Sequence, residues 1–188
     1  MMINTKEFTQ IRKELKDLEQ KREATIQKAR EIIRISKLII YALHRNDVKA
    51  AKKHITKIKQ KIKILPINNY DTGIRKVAIQ EYVEAMTLYY FITEKRLISK
   101  KELKVNTEDY LLGLCDLTGE VVRLGVNSVI KRNSQIALEC KELVEDIYGE
   151  FLLLDLRNGE LRKKSDSIKW NLRKLEDLAV DISRKRNK

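Results

Sequence analysis

One proline and six glycines in 188 residues leave few places where a helix can be interrupted, so the positions of these residues mark the joints of the chain. Two cysteines, Cys115 and Cys140, with neither CxxC nor CxxH spacing, exclude a disulfide framework and a zinc site; both fall in apolar helical runs and read as small core residues. Histidine occurs only at His44 and His54, and there is no glycine-rich phosphate loop, no HExxH and no nucleophile elbow. These absences exclude nucleotide-binding folds of the phosphate-loop kind and the histidine- or serine-based hydrolases. Long apolar runs are missing too: the N-terminus turns polar at once, and Leu38 to Leu43 falls far short of a membrane span, so the protein is expected in the cytoplasm.

Positive charge is what the sequence has in excess. Forty Lys and Arg against twenty-seven Asp and Glu leave a formal net charge of +13. Such a balance favours polyanionic partners through attraction and counterion release, and nucleic acid is the first of these. The alternative is the charge-rich surface of a thermophile, but such surfaces mix the two signs more evenly.

Apolar residues recur at helical spacing almost throughout. Asn4 with Glu7 three positions on suggests a capping box, and Phe8, Ile11, Leu15 and Leu18 open a helix that reaches roughly to Leu43. Asp47 caps a second helix whose Val48, Ala51, Ile55, Ile58 and Ile62 form a stripe that Pro66 stops. Pro66 to Gly73 is the clearest loop, Ile74 to about Lys95 is helical again, and Ser99 to Lys104 reads as a short helical turn. Asn106 caps a helix to about Val129, Asn133-Ser134 begins the next, Asn158-Gly159 breaks the chain, and Ile168, Leu172, Leu175, Ala179 and Ile182 mark the last helix. No strand-like alternation persists and nothing divides the chain into separately cored halves. The expected fold is all-α: one domain over residues 1–188, an irregular bundle of about seven helices.

Four carboxylates stand apart from the many acids that sit beside Lys or Arg on solvated faces. Glu81 and Glu84 are three apart and share a helix face with Val77 and Leu88, interrupting an apolar stripe. Asp116 and Glu120 are four apart, in line with Asp109, Arg123 and Asn127, on a helix otherwise rich in Leu and Val. Acid pairs facing inward repel and are costly to desolvate unless protonated, paired with cations or bridged by a hard metal ion. Periodicity leaves two readings open: an oxygen-ligand site for a cation such as Mg²⁺, or Glu84 or Glu120 paired with Arg123 as structural glue. It also leaves open whether the two helices meet.

The residues themselves carry more than their spacing. Gln80-Glu81-Tyr82-Val83-Glu84-Ala85 and Asp109-Tyr110-Leu111-Leu112-Gly113-Leu114-Cys115-Asp116-Leu117-Thr118-Gly119-Glu120 resemble the two signature segments of the translin/TRAX family. Arg123 to Val129, Asp155 to Asn158, Leu161 to Asp166 with Lys169, and Ala42-Leu43-His44-Arg45 resemble further segments of that family in the same order, so that the resemblance covers effectively the whole chain. It implies a helical protomer that assembles into a hollow closed homo-oligomer, an octamer, enclosing nucleic acid. It also implies a Mg²⁺-dependent endoribonuclease of the TRAX kind acting on single-stranded RNA, with Mn²⁺ able to substitute. Glu81, Glu84, Asp116 and Glu120 would be the catalytic, metal-holding acids. The alternative is a translin-like protein that binds single-stranded RNA or DNA without cleaving it. The chain joins TRAX-like acids to a C-terminal region that resembles translin's, without the insertion TRAX carries before its second segment, as expected of a prokaryotic, archaeal-type relative that serves as both halves. For RNA contact the candidates are Arg22, Arg30, Arg34, His44, Arg45 and Arg123, with Lys21 and Lys28 beside them, while Arg75 and Lys76 are all that stands for translin's basic segment in that loop. Tyr82, Tyr89, Tyr90 and Tyr110 could stack on bases or pack in the core.

Overall fold

The computed structural model describes residues 4–68, 70 and 72–186, and among these residues every regular element is a helix. In chain order they are α1 (Thr5–His44), α2 (Val48–Lys63), α3 (Ile74–Glu94), α4 (Lys100–Leu103), α5 (Thr107–Ile130), α6 (Ser134–Leu152) and α7 (Glu160–Arg186). Asn69 and Asp71, in the loop expected between Pro66 and Gly73, lie outside the described residues. None of the described helices is long and apolar enough to cross a membrane.

Side-chain caps place the helix starts. Asn4 accepts from the amides of Lys6 and Glu7, Asp47 from Ala50 (2.9 Å) and Asn106 from Asp109 (2.8 Å), each occupying amides that the helix itself cannot bond. The reciprocal capping box forms at Ser99 and Glu102, ahead of α4, rather than at Asn4 and Glu7. Scarce glycine shows at the helix ends. Asn46, Lys95, Lys104 and Arg132 all adopt left-handed backbone, with φ between 53° and 61°, where glycine is the usual choice. Only α3 has glycine at such a point, Gly73 with φ 62°, just before its first turn.

The long odd-numbered helices form the frame. α1 packs on α2 and α3, α3 on α5, and α5 on both α6 and α7, which also pack together. Ile32, Ile35 and Ile39 of α1, Met86 and Leu88 of α3, Leu117 and Val121 of α5 and Leu175 of α7 are essentially inaccessible. Each such side chain contributes roughly 1.5–3 kcal/mol through burial. Cys115 and Cys140 are buried free thiols, as their apolar settings implied.

Helices α3 and α5 approach closely where Gly113 faces Val83. A Cβ on Gly113 would lie 2.6 Å from the Val83 Cβ and 3.0 Å from the Gln80 carbonyl oxygen. Val83 sits between Glu81 and Glu84, and Gly113 lies three residues before Asp116. The missing side chain therefore lets the two acid-bearing segments meet.

Phe8, Ile11, Leu15 and Leu18 lie at helical spacing as expected, but they cover no core: their exposures run from 38% to 59%, and the first buried side chain of α1 is Thr25. Periodicity marks an apolar face without saying what covers it. In one protomer, residues 5–24 extend about 30 Å as an arm beyond the other helices.

Candidate metal and nucleic-acid site

Four helices contribute to the acid site. Glu81 and Glu84 come from α3, Asp116 and Glu120 from α5, Lys37, Tyr41 and His44 from the C-terminal half of α1, and Lys164 from α7. Lys37, Ile40, Tyr41, Glu81, Glu84, Glu120 and Arg123 line a cleft of about 390 Å³. Asp116 stands beside this group, half-buried, close enough to raise the proton affinity of both Glu81 and Glu84. The helices that spacing could not join thus bring all four acids into one electrostatic unit.

Their environments differ. Glu120 bonds the Nε2 of His44 and lies 3.4 Å from Nη1 of Arg123; the His44 bond is the main reason its pKa falls below the usual carboxylate value. Glu81 is raised by burial, opposed by Lys37, whose Nζ is 3.7 Å away. Asp116 accepts from Lys164 Nζ at 2.6 Å, and the same ammonium donates to Gln80 Oε1 at 3.3 Å. Among the described residues no side chain bonds the Glu84 carboxylate. Burial, then repulsion from Asp116, Glu81 and Glu120, push its pKa up to about 8.

That shift makes stability depend on pH. Below about 4.5 Glu84 is protonated whether the chain is folded or not. Between 4.5 and about 8 the unfolded chain ionises while the folded one keeps its proton, so each rise in pH favours unfolding; above that window the cost is complete. Glu84→Gln, neutral at every pH, is expected to raise the melting temperature in metal-free buffer, and to raise it more at pH 8 than at pH 5. Calorimetry at the two pH values checks this; an equal or opposite difference would mean that Glu84 is ionised in the fold at neutral pH.

The donor set fits a hard cation. It is all oxygen, half-buried and short of positive charge at Glu84, and Mg²⁺ is held through one or two carboxylates while keeping several waters. Their positions do not yet make a site: among the described residues no group of three or more acids, histidines or cysteines is placed to hold a metal ion. Lys164 and His44 instead engage Asp116 and Glu120. Of the two readings left open by periodicity, the ion pair to Arg123 holds for Glu120 and not for Glu84.

The basic candidates separate. His44 does not face solvent: its side chain is 4% exposed and is bonded to Glu120, so it shapes the acid site instead of contacting RNA. Arg22 lies on the α1 arm, paired with Glu19 (3.0 Å) and Glu23 (3.4 Å). Arg30, Arg34 and Arg45 are exposed. Arg123 is exposed at the rim of the cleft. Arg75 donates to the Pro66 carbonyl and Lys76 bridges Glu108 and Glu160, so both are spent on holding the fold. Tyr82 is buried, Tyr110 donates to the Ile98 carbonyl, and Tyr89 packs edge-on against Tyr90, whose ring also carries Arg96. Sequence reasoning missed Lys37, Tyr41 and Lys164. For Lys37 and Tyr41 a signal existed in their helical register with Arg30 and Arg34; for Lys164, 48 residues from Asp116, local spacing held none.

The Translin family model matches residues 10–185, nearly the whole chain. The chain belongs to the translin family. Among curated relatives, Translin of Gallus gallus is 35% identical over 79 residues, 42% of this chain and 34% of that protein. Translin of Homo sapiens is 34% identical over 84 residues, 45% of this chain and 37% of that protein, so the match spans only about a third of the curated translins. Translin-associated protein X of Rattus norvegicus is 24% identical over 218 residues, covering 90% of this chain and 75% of that protein. The fold matches a chain of apo-NeC3PO with a TM-score of 0.82 at 31% identity, over 96% of this chain and 98% of that one. It also matches a chain of AfC3PO in complex with duplex RNA, with a TM-score of 0.80 at 25% identity, over 96% and 98%. Within the translin family this chain therefore combines a whole-length likeness to C3PO chains with the cleft of Glu81, Glu84 and Glu120 that Asp116 adjoins.

Proposed function

We propose that this translin-family protein is a Mg²⁺-dependent endoribonuclease that hydrolyses single-stranded RNA within a hollow homo-oligomer, an octamer, in the cytoplasm. The observation that carries the reading is the gathering of Glu81, Glu84 and Glu120 on one cleft with Asp116 beside it, where burial and then repulsion from the neighbouring acids drive Glu84 towards neutrality. Binding of RNA is supported by the net charge of +13 and by the likeness to AfC3PO, a protein seen with duplex RNA. Glu81, Glu84, Asp116 and Glu120 would hold Mg²⁺, or Mn²⁺ in its place. Bound there, the cation would polarise a phosphodiester and lower the pKa of a water.

The chain's own groups set the charge. Lys37 and Arg123 stand at the mouth of the cleft, where a phosphate entering beside four acids needs neutralisation. His44 orients Glu120 from below, and Lys164 holds Asp116 from the α7 side. A binding-only protein, gripping single-stranded RNA or DNA, is the second reading. It is favoured by the engagement of Asp116 with Lys164 and of Glu120 with His44 and Arg123.

Incubating the purified protein with end-labelled single-stranded RNA, duplex RNA and single-stranded DNA, with Mg²⁺ or with EDTA, divides the two. Internal cleavage of the single-stranded RNA in Mg²⁺ alone is the expected result. Retention without cleavage, at affinities that fall steeply with salt, would leave the binding-only reading. Gel filtration with light scattering on the same sample is expected to give eight subunits, and a monomer or dimer would remove the enclosed chamber.

A further inference from the structure

The exposed face of α1 that runs into the acid cleft carries a cationic row ending on an aromatic ring. Arg30, Arg34, Lys37 and Tyr41 follow one another at spacings of four, three and four, within an arc of about 60° on a helix turning 100° per residue. Ile33 and Leu38 flank the row on either side and line the same shallow groove. Lys37 and Tyr41 belong to this groove and to the acid cleft alike, so the two are continuous.

Two further observations set this row apart from the many surface lysines. Arg30 and Arg34 meet no carboxylate among the described residues, whereas Arg22, about two turns before Arg30, is paired with Glu19 and Glu23. Tyr41 is 54% exposed, large for an aromatic ring in a helix that is otherwise well packed at this level. Its ring is held from one side: Arg45 sits 5.5 Å from the ring centre and donates to the hydroxyl at 3.2 Å. A tyrosine steadied in this way, with a face open to solvent, offers a platform on which any unpaired base can stack.

We propose that the Arg30-Arg34-Lys37-Tyr41 face is the track along which a single RNA strand enters the acid cleft, with the arginines on successive phosphates and one base stacked on Tyr41 next to the acids. The proposal rests on the nucleic-acid reading above but not on cleavage. Stacking requires a base released from its partner, so the track selects single strands. Lys37, loosely held by Glu81 at 3.7 Å, is placed to exchange that carboxylate for a phosphate as the strand arrives.

The test is made in EDTA, so that binding is read whether or not the protein cleaves. The probe is an oligouridine carrying one 2-aminopurine, whose fluorescence is quenched by stacking. Tyr41→Ala is expected to weaken binding of the single strand by about 5- to 150-fold and to abolish position-dependent quenching, while Tyr41→Phe retains both. Arg30→Ala with Arg34→Ala is expected to lower the slope of log affinity against log salt by about 1.4, and a duplex of the same length should lose little on Tyr41→Ala. Unchanged affinity and quenching in Tyr41→Ala would overturn the track. So would equal damage by Tyr41→Phe, which would assign the effect to the hydroxyl bond, or loss of the assembly in Tyr41→Ala, which would assign the face to a subunit contact. If the wild-type protein binds and quenches yet never cleaves in Mg²⁺, the ribonuclease reading fails and the track stands.

Discussion

Glu84→Gln is expected to abolish RNA cleavage while leaving assembly and RNA affinity intact or improved. The substitution keeps the shape of the side chain and removes the cleft carboxylate that, among the described residues, no side chain bonds and that burial and the neighbouring acids push up most. Mg²⁺ bound there would be held by the ionised carboxylate, and a neutral amide cannot supply that charge. Changes to residues that merely support a metal ligand cost roughly 10–100-fold, and loss of a ligand should exceed that. RNA affinity should not fall, because one less negative charge faces the phosphates.

Asp116→Asn is expected to be equally inactive but not equally stable. It leaves Lys164, half-buried and 2.6 Å from the carboxylate it loses, without its ion-pair partner. Turnover assays paired with melting curves separate the two variants. Full activity in both, or inactivity accompanied by unfolding of Glu84→Gln, would sink the catalytic assignment.

Gly113→Ala carries the largest expected cost to the fold. The added methyl would sit 2.6 Å from the Val83 Cβ and 3.0 Å from a backbone oxygen, and neither can swing away as the tip of a flexible side chain could. Overpacking of this kind costs about 1–3 kcal/mol, which lowers the melting temperature by about 2–12 °C in a chain of this size. Activity should fall further than stability alone requires. The displaced segment carries Glu81 and Glu84 on either side of Val83, and misplacing reacting groups by about 1 Å can cost about 100-fold. Gly149→Ala in α6 is the control: nothing lies within 4 Å of its Cβ position, and a helical glycine replaced by alanine should stabilise by roughly 0.5–1 kcal/mol. A melting temperature for Gly113→Ala equal to that of the wild type would show that α3 and α5 are not held this close.

The helices were legible because their signals are local. Asn4, Asp47 and Asn106 cap within three residues of themselves, and Pro66, Gly73 and Gly159 interrupt where they stand. The four acids were legible for a related reason: on apolar helices, spacings of three and four single out carboxylates that interrupt a buried stripe. Their family resemblance named the same positions. What spacing could not show is contact between elements. Nothing in the register of α1 announces that His44 turns inward to Glu120, nor in α7 that Lys164 crosses to Asp116, because such pairs depend on how helices lie together. The Phe8, Ile11, Leu15 and Leu18 stripe shows the opposite limit. Its pattern is that of a core face, yet the protomer supplies nothing to cover it.

The order of the helices along the chain bears on how the site comes into being. α1, α3 and α5, which carry the acids and most of the residues around them, precede α7 in the chain, and α3 packs on both α1 and α5. Lys164, the cation that holds Asp116, arrives only with α7. Without it the cluster is more acidic than in the finished protomer and repels itself, so docking of α7 relieves that repulsion as well as burying Ile168 and Leu175. Packing of α7 and the charge balance of the cleft are in this way coupled.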